Sequence, residues 1–390
     1  MNYLNKVIYE MHEFPELLAL RGHDVTFFHY PEASTEPKVS WKATRAVIRG
    51  RAYPDARLHL VTPPTWGGRP WERYFAPLLN MPSLRRELRH GDYDVVVLYA
   101  VPTTGWQTIL MAKSYGVPVV FRALDVSHMI RRSPLSALIH FAERFIYRNA
   151  NLISSNNGAM AEYCIETSKR TLPTVVDLPP IDFSHFDSTD VPGLRASLTL
   201  LEKDRVILYM GSFFDFSGLD VFVRGIAPAL QEHADLKVVL VGGGDLDQPL
   251  RELVGVLGLE SRVIFTGIVP YSALPGYLKI ADVAINPFVP QLLTHLALPH
   301  KVLQYMAAGV PVVSSSLTGL RGVLGDHSGV TWVDGPDEVA DAALRLAYAD
   351  ADERRAVVKT QLECIEVTFS KEEAVASLER TLERAVSSMR

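Results

Sequence analysis

The stretch Leu298-Pro-His-Lys-Val-Leu-Gln-Tyr-Met-Ala-Ala-Gly309 carries residues suited to holding an anion. Its pattern predicts a short helix that opens at Pro299 and stops at Gly309, then a buried strand from Pro311. Proline suits a first helical position because its missing N–H would have had no partner there. The N–H groups of His300 and Lys301 then leave the helix start with the positive end of the helix dipole behind them. Such an end binds phosphate oxygens, and the Lys301 ammonium adds a full charge. Gln304, one turn on, can donate and accept hydrogen bonds to two adjacent hydroxyls. An ordinary strand-helix-strand unit would give the same pattern, so the other segments must decide.

Three more regions could take part in chemistry. Asp125 ends a predicted strand and His128 follows three residues later. A carboxylate or imidazole there could orient or deprotonate a hydroxyl, although Asp125 would serve equally as a helix cap. Arg122 is a candidate for a phosphate-bearing acceptor. Gly242-Gly-Gly-Asp245 lacks the Gly-x-Gly-x-x-Gly spacing of a dinucleotide loop and reads as a turn after a strand. Residues 66–90 interleave Trp66, Trp71, Tyr74 and Leu78 with Arg69, Arg73, Arg85, Arg86 and Arg89. That mixture suits either a surface touching anionic lipid or a domain face whose aromatics pack inward.

Short apolar runs alternate with helical patterns from end to end, which is the signature of parallel α/β domains. The first half predicts strands at 25–28, 58–61, 95–98, 119–121 and 152–155. The second predicts strands at 206–210, 238–241, 263–265, 283–286, 312–315 and 331–333. The polar segment Asp187-Ser-Thr-Asp-Val-Pro-Gly193 reads as the linker between two domains. At the N-terminus, Leu4, Val7, Ile8 and Met11 have helical spacing, interrupted by Pro15. A first strand is therefore expected to be missing, with Lys6–Tyr9 as a makeshift strand the alternative.

With 390 residues, 48% hydrophobic and 21% charged, the chain has the make-up of a soluble enzyme of two domains. Residues 1–190 carry 21 Lys/Arg against 19 Asp/Glu and the rest 18 against 25, so neither half has the basic excess a nucleic-acid binder needs. Cys164 and Cys364 lie in separate halves without metal-ligand spacing, which points to a reducing compartment. No apolar run reaches the length of a membrane span. The expectation is a cytoplasmic protein, in peripheral contact with the inner face of a membrane if residues 66–90 touch lipid.

The segments Val206-Ile-Leu-Tyr-Met-Gly-Ser-Phe-Phe-Asp-Phe-Ser-Gly218, Gly242-Gly-Gly-Asp245, Val263-Ile-Phe-Thr-Gly-Ile-Val-Pro270 and Ala281-Asp-Val-Ala-Ile-Asn-Pro287, followed by the Pro299 segment, are similar in order and spacing to the donor half of family 4 GT-B glycosyltransferases. Leu18-Ala-Leu-Arg-Gly-His-Asp-Val25, Gly116-Val-Pro-Val-Val-Phe-Arg-Ala-Leu-Asp125 and Pro179-Pro-Ile-Asp-Phe-Ser-His-Phe186 resemble the acceptor half. The resemblance implies an α/β fold of two facing Rossmann-like domains, at 1–187 and 188–371. A final helix, 372–390, would return to the first domain.

The resemblance further implies a retaining, metal-independent transfer of a hexose-type sugar from a nucleoside-diphosphate sugar to a hydroxyl on a glycan, lipid-linked or small-molecule acceptor. UDP-sugar is favoured over GDP-sugar, and no cofactor is called for. Donor contacts would come from Gly211, Ser212, Ser217, Gly218, Gly267, Val269, His300, Lys301 and Gln304, with Arg321 as an auxiliary cation; Asp125 and His128 would serve the acceptor. The chain departs from the family at Leu296, where a glutamate usually touches the sugar, and at Gln304, where a second usually caps the ribose. It departs again at Ser212 and Ser217, which replace cations on the diphosphate. A catalytically silent binder of nucleotide-sugar or of a partner transferase is thus the competing reading, and a sugar-nucleotide epimerase of the same fold a lesser one.

Overall fold

A computed structural model describes residues 2–5, 7–30, 40–65, 72–101, 104–130, 135–169, 173–186 and 191–389. Two compact units emerge, one formed by residues 1–180 with 371–390 and the other by 181–370. The first unit contains β1 (Thr26–Phe28), β2 (Thr44–Arg49), β3 (Arg57–Thr62), β4 (Val96–Leu98), β5 (Val119–Ala123), β6 (Leu152–Ser155) and β7 (Thr174–Val176). The second contains β8 (Arg205–Ser212), β9 (Leu236–Gly243), β10 (Val263–Gly267), β11 (Val283–Asn286), β12 (Val312–Ser315) and β13 (Thr331–Val333).

The second unit is one parallel sheet in the order β10-β9-β8-β11-β12-β13. Its central strands are continuous apolar runs, as expected where helices cover both faces. Residues Val206 to Tyr209 of β8, Val238 to Leu240 of β9 and all of β11 and β12 are buried. The chain moves outward through β9 and β10 on one side of β8, then returns to β11 and moves outward through β12 and β13 on the other. The carboxyl ends of β8 and β11 thus flank the point where the winding reverses, and side chains there are left uncovered by either crossover.

The first unit holds two sheets, β1-β3-β2 and β4-β5-β6-β7. β2 runs antiparallel to β3, with Thr44 opposite Thr62 and Arg49 opposite Arg57. The C-terminal helix Lys371–Ser387 belongs to this unit, burying Ala374, Val375 and Leu378 against Phe14, Leu17 and Leu18 of the helix Glu10–Leu20. That first helix runs through Pro15, where a break was expected. Its buried Glu16 explains why. The carboxylate accepts from the Tyr3 hydroxyl at 2.5 Å and from the backbone N–H groups of Arg51, Ala52 and Tyr53 at 2.9, 2.8 and 2.7 Å. These bonds offset the one lost at proline.

Other expectations fail for physical reasons. Leu4 to Met11 form no continuous helix, because Tyr3 to Asn5 make a turn and helix starts only at Glu10; Ile8 and Tyr9 are not strand, and Lys6 lies outside the described residues. The proposed linker is helical from Val191 to Ser197, with Pro192 in its first turn where no N–H is needed, and 187–190 lie outside the described residues. Among the described residues no helix is long and apolar enough to cross a membrane.

Arg122, the candidate for a phosphate-bearing acceptor, is held inside the fold. It is buried on β5 and donates to both carboxylate oxygens of Glu10 at 2.8 and 3.0 Å, to Ser154 Oγ at 2.9 Å and to the Ser155 carbonyl at 3.0 Å. Removing one partner from a buried pair leaves a charge without compensation, a loss of about 3–5 kcal/mol. Glu10→Ala is accordingly expected to lower urea stability by about that amount, whereas Glu10→Leu combined with Arg122→Met should lose much less. Equal losses would show that Glu10 matters by packing alone.

Candidate functional site

Lys301 stands at the reversal point of the second unit. The helix runs from His300 to Ala307, so Pro299 is its N-cap and not its first residue. The proline ring holds φ at −64°, ψ is extended at 104°, and the Pro299 carbonyl accepts the Val302 N–H at 3.0 Å. The Lys301 N–H has no intrahelical partner at this position. Tyr305, one turn on, latches the helix to β8. Its hydroxyl accepts the Met210 N–H at 2.7 Å, one residue before Gly211.

The Lys301 side chain runs back between aromatic walls. Its Nζ lies 3.9 Å from the centroid of Tyr209 on β8 and 4.5 Å from that of Phe288, just beyond β11. It donates to the Tyr209 hydroxyl at 2.6 Å, which in turn donates to the Ser212 carbonyl at 2.9 Å. Among the described residues no carboxylate pairs with this amine. Burial therefore drives its pKa well below the ordinary lysine value. Gly211 fits against it. A Cβ built on Gly211, whose φ is +138°, would come within 2.9 Å of Nζ, and one on Gly242 would come within 2.0 Å of the Gly211 carbonyl. The glycines at the ends of β8 and β9 thus let two loops approach each other and the amine.

The remaining donor candidates fall at different depths. Ser212 is exposed beside Gly211, and His300 is half-buried at the helix start. Gln304 is 8% exposed, on the same helix, so it is not a solvent-facing residue. Ser217 is fully buried and its hydroxyl is likewise without a partner among the described residues, so as it stands it offers no surface to a ligand. Gly218, at φ +65°, lies tight against the Pro287 carbonyl and is a packing glycine that opens the helix Leu219–Glu232. Gly267 ends the edge strand β10 and Val269 follows it, two strands away from β8. Arg321 pairs with the exposed Asp326 at 2.6 Å and donates to Ser316 Oγ at 2.9 Å. Leu296 is buried. Tyr209 and Phe288 were not anticipated: in the sequence each sits in or beside an apolar run and reads as core.

In the first unit, Asp125 is exposed just after β5 and His128 is the second residue of a short helix, Ser127–Ile130. His128 Nδ1 forms a short bond to Glu143 Oε2, and His140 Nδ1 lies 3.7 Å from the same oxygen. Glu143, buried on the helix Ser136–Asn149, is thus the partner of His128, and its distance of 15 residues hid it from motif reading. These two imidazoles and the carboxylate are close enough together to hold a cation. In the region 66–90, residues 66–71 lie outside the described residues, while Leu78, Arg85, Arg86 and Arg89 are exposed on the helix Glu72–His90.

Comparison with known proteins bears on this arrangement. The sequence model "Glycosyl transferases group 1" matches residues 204–348, and "Glycosyl transferase 4-like domain" matches residues 11–176. The alpha-monoglucosyldiacylglycerol synthase of Streptococcus pneumoniae is 23% identical over 271 residues, 66% of this chain and 60% of that protein. This chain spans 37% and 60% of the length of two curated relatives it matches, the synthase being the second. Among solved structures, sucrose-phosphate synthase from Thermosynechococcus elongatus superposes with a TM-score of 0.75 at 18% identity, covering 96% of this chain and 92% of that one. The Anabaena protein HepE in complex with UDP and glucose gives a TM-score of 0.66 at 18% identity, covering 84% and 86%. With both halves matched in sequence and the architecture matched in structure, the chain belongs to the group 1 glycosyl transferases and has their GT-B fold.

Proposed function

We propose that the chain transfers a hexose-type sugar from a nucleoside-diphosphate sugar, UDP-sugar in preference to GDP-sugar, to a hydroxyl acceptor on a glycan, a lipid-linked carrier or a small molecule. The single observation carrying this reading is the Lys301 amine, enclosed by Tyr209 and Phe288 with no carboxylate for a partner among the described residues. An amine in such a place gains most from an anion with several oxygens, and a diphosphate supplies them. As the bond from the anomeric carbon to the leaving phosphate breaks, negative charge grows on the phosphate. Lys301 and the start of its helix would stabilise that charge, with the Ser212 hydroxyl beside them. Gln304 would receive the ribose hydroxyls. Retention of configuration, metal independence and the preference for uridine rest on family resemblance, and UDP in the HepE complex agrees with the last.

On the acceptor side, Asp125 is the group with access to solvent, and His128 would act only in concert with Glu143. Exposed Leu78 and the arginines that follow it suit peripheral contact with an anionic membrane from the cytoplasmic side. Buried Leu296 favours the competing reading of a silent binder, since it has nothing polar to offer the sugar. A panel of nucleotide-sugars separates the two: the transferase reading expects release of nucleoside diphosphate above the buffer blank with at least one donor. Binding without turnover across the panel would favour the silent one.

Lys301→Ala is expected to weaken UDP binding by roughly ten- to hundred-fold, the worth of a charge-assisted hydrogen bond of about 1.5–3 kcal/mol, while uridine binding changes little. Titration calorimetry with both ligands checks this, and equal losses would remove Lys301 from the phosphates. A second expectation concerns protons. Burial holds the free amine's pKa down, and a bound diphosphate favours the ammonium, so the pKa rises on binding. Between the two values the complex takes up a proton, and affinity falls as pH climbs through that window. Calorimetry in buffers of different ionisation enthalpy, at a pH below the ordinary lysine value, should register more proton uptake in the parent than in Lys301→Ala.

A further inference from the structure

A buried carboxylate in the first unit faces two imidazoles and no stronger cation. The Glu143 side chain, on the helix Ser136–Asn149, is fully buried, and among the described residues no lysine or arginine pairs with it. His128 Nδ1 touches its Oε2 from the short helix Ser127–Ile130. His140, one turn before Glu143 on the same helix, brings its Nδ1 to 3.7 Å from that oxygen. The two rings stand 4.4 Å apart, centroid to centroid, at 65° to each other. One ligand atom from each of the three residues lies within 4.8 Å of the others. A carboxylate taken out of water needs a compensating charge, and an imidazole supplies one only while it is protonated.

The separations suit a small ion. Two ligands at about 2.0–2.1 Å from a tetrahedral zinc stand roughly 3.3–3.4 Å apart. The 3.7 Å between His140 Nδ1 and Glu143 Oε2 is close to that span. His128 need only open slightly from the carboxylate, as the ion takes the place of the Nδ1 proton between them. The surroundings already aim the ligands. Glu143 Oε1 accepts the His128 backbone N–H at 3.3 Å, which leaves Oε2 for the rings. The Ser136 hydroxyl donates to the His128 carbonyl at 2.7 Å and ties the short helix to the long one. An ion has a way in past His140, whose side chain is 47% exposed. Imidazole nitrogens favour zinc and its neighbours over magnesium and calcium, which prefer oxygen.

We propose that His128, His140 and Glu143 bind a divalent transition-metal cation of zinc's class, with water in the fourth position on the side of His140. The proton displaced from His128 Nδ1 goes to Nε2 of the same ring or, where that is occupied, to solvent. The bound ion clips the short helix after β5 to the helix Ser136–Asn149. Asp125 precedes the short helix by two residues, so the clip steadies the segment that carries it. The ion takes no part in the departure of the phosphate, which the transferase reading gives to Lys301.

The test titrates the full chain, stripped of metal with a chelator, with Zn2+ and separately with Mg2+. Zinc should bind at one ion per chain and raise Tm, and magnesium should do neither. Zinc should also slow hydrogen exchange at Met129 and Ile139, whose amides close turns on the two helices. His140→Ala replaces a half-exposed ring, so it should fold as the parent does yet bind zinc about tenfold or more weakly. His327→Ala, at an exposed site in the other unit, should bind as the parent does. Co2+ in place of zinc should give the visible absorption of a four-coordinate site in the parent and lose it in His140→Ala. Unchanged zinc affinity in His140→Ala would overturn the proposal, as would an equal response to magnesium. So would loss of binding in Cys364→Ser, which would put the ion on a thiol.

Discussion

A primary amine removed from water and given no carboxylate is costly, and the second unit is arranged around that cost. The loss is tempered by the faces of Tyr209 and Phe288 and by the Tyr209 hydroxyl, none of which carries a charge. Every feature nearby keeps the amine at the reversal point of the sheet. Tyr305 ties its helix to Met210, Gly211 leaves it room, and Gly242 lets the neighbouring loop close in. An anion of the kind proposed for this site would complete the electrostatics that the fold leaves open.

The first unit treats charge in the opposite way. Glu16 is saturated by the Tyr3 hydroxyl and three backbone donors, and Arg122 by Glu10, Ser154 and the Ser155 carbonyl. The Glu16 carboxylate takes four donors and Arg122 uses four of its five N–H groups, so little remains for a ligand to add. Arg122 is fully buried among its partners, whereas Lys301 is half-buried with a hydroxyl as its hydrogen-bond acceptor.

Much of the architecture was legible because parallel strands covered on both faces must be apolar runs. Leu152–Ser155, Val283–Asn286, Val312–Ser315 and Thr331–Val333 begin and end where those runs do. Thr44–Arg49 was not legible: five of its six residues are exposed, and it is held as a strand by pairing with β3. In the site, Lys301 could be singled out because proline, lysine and a glycine stop lie within a dozen residues. Its aromatic walls could not, since Tyr209 and Phe288 are 92 and 13 residues away and look like core. The depth of Ser217 was not legible either, because hydroxyl chemistry is visible in a sequence and burial is not.

The same enclosed amine has a consequence for reactivity. A lysine whose proton is held loosely spends more of its time as the free base, the form that attacks acyl and sulfonyl electrophiles. Lys301 should therefore be labelled ahead of the exposed lysines, and an anion on its Nζ would protect it both by position and by restoring the proton. The rate of that single acylation would report how full the site is, without any signal from the ligand itself.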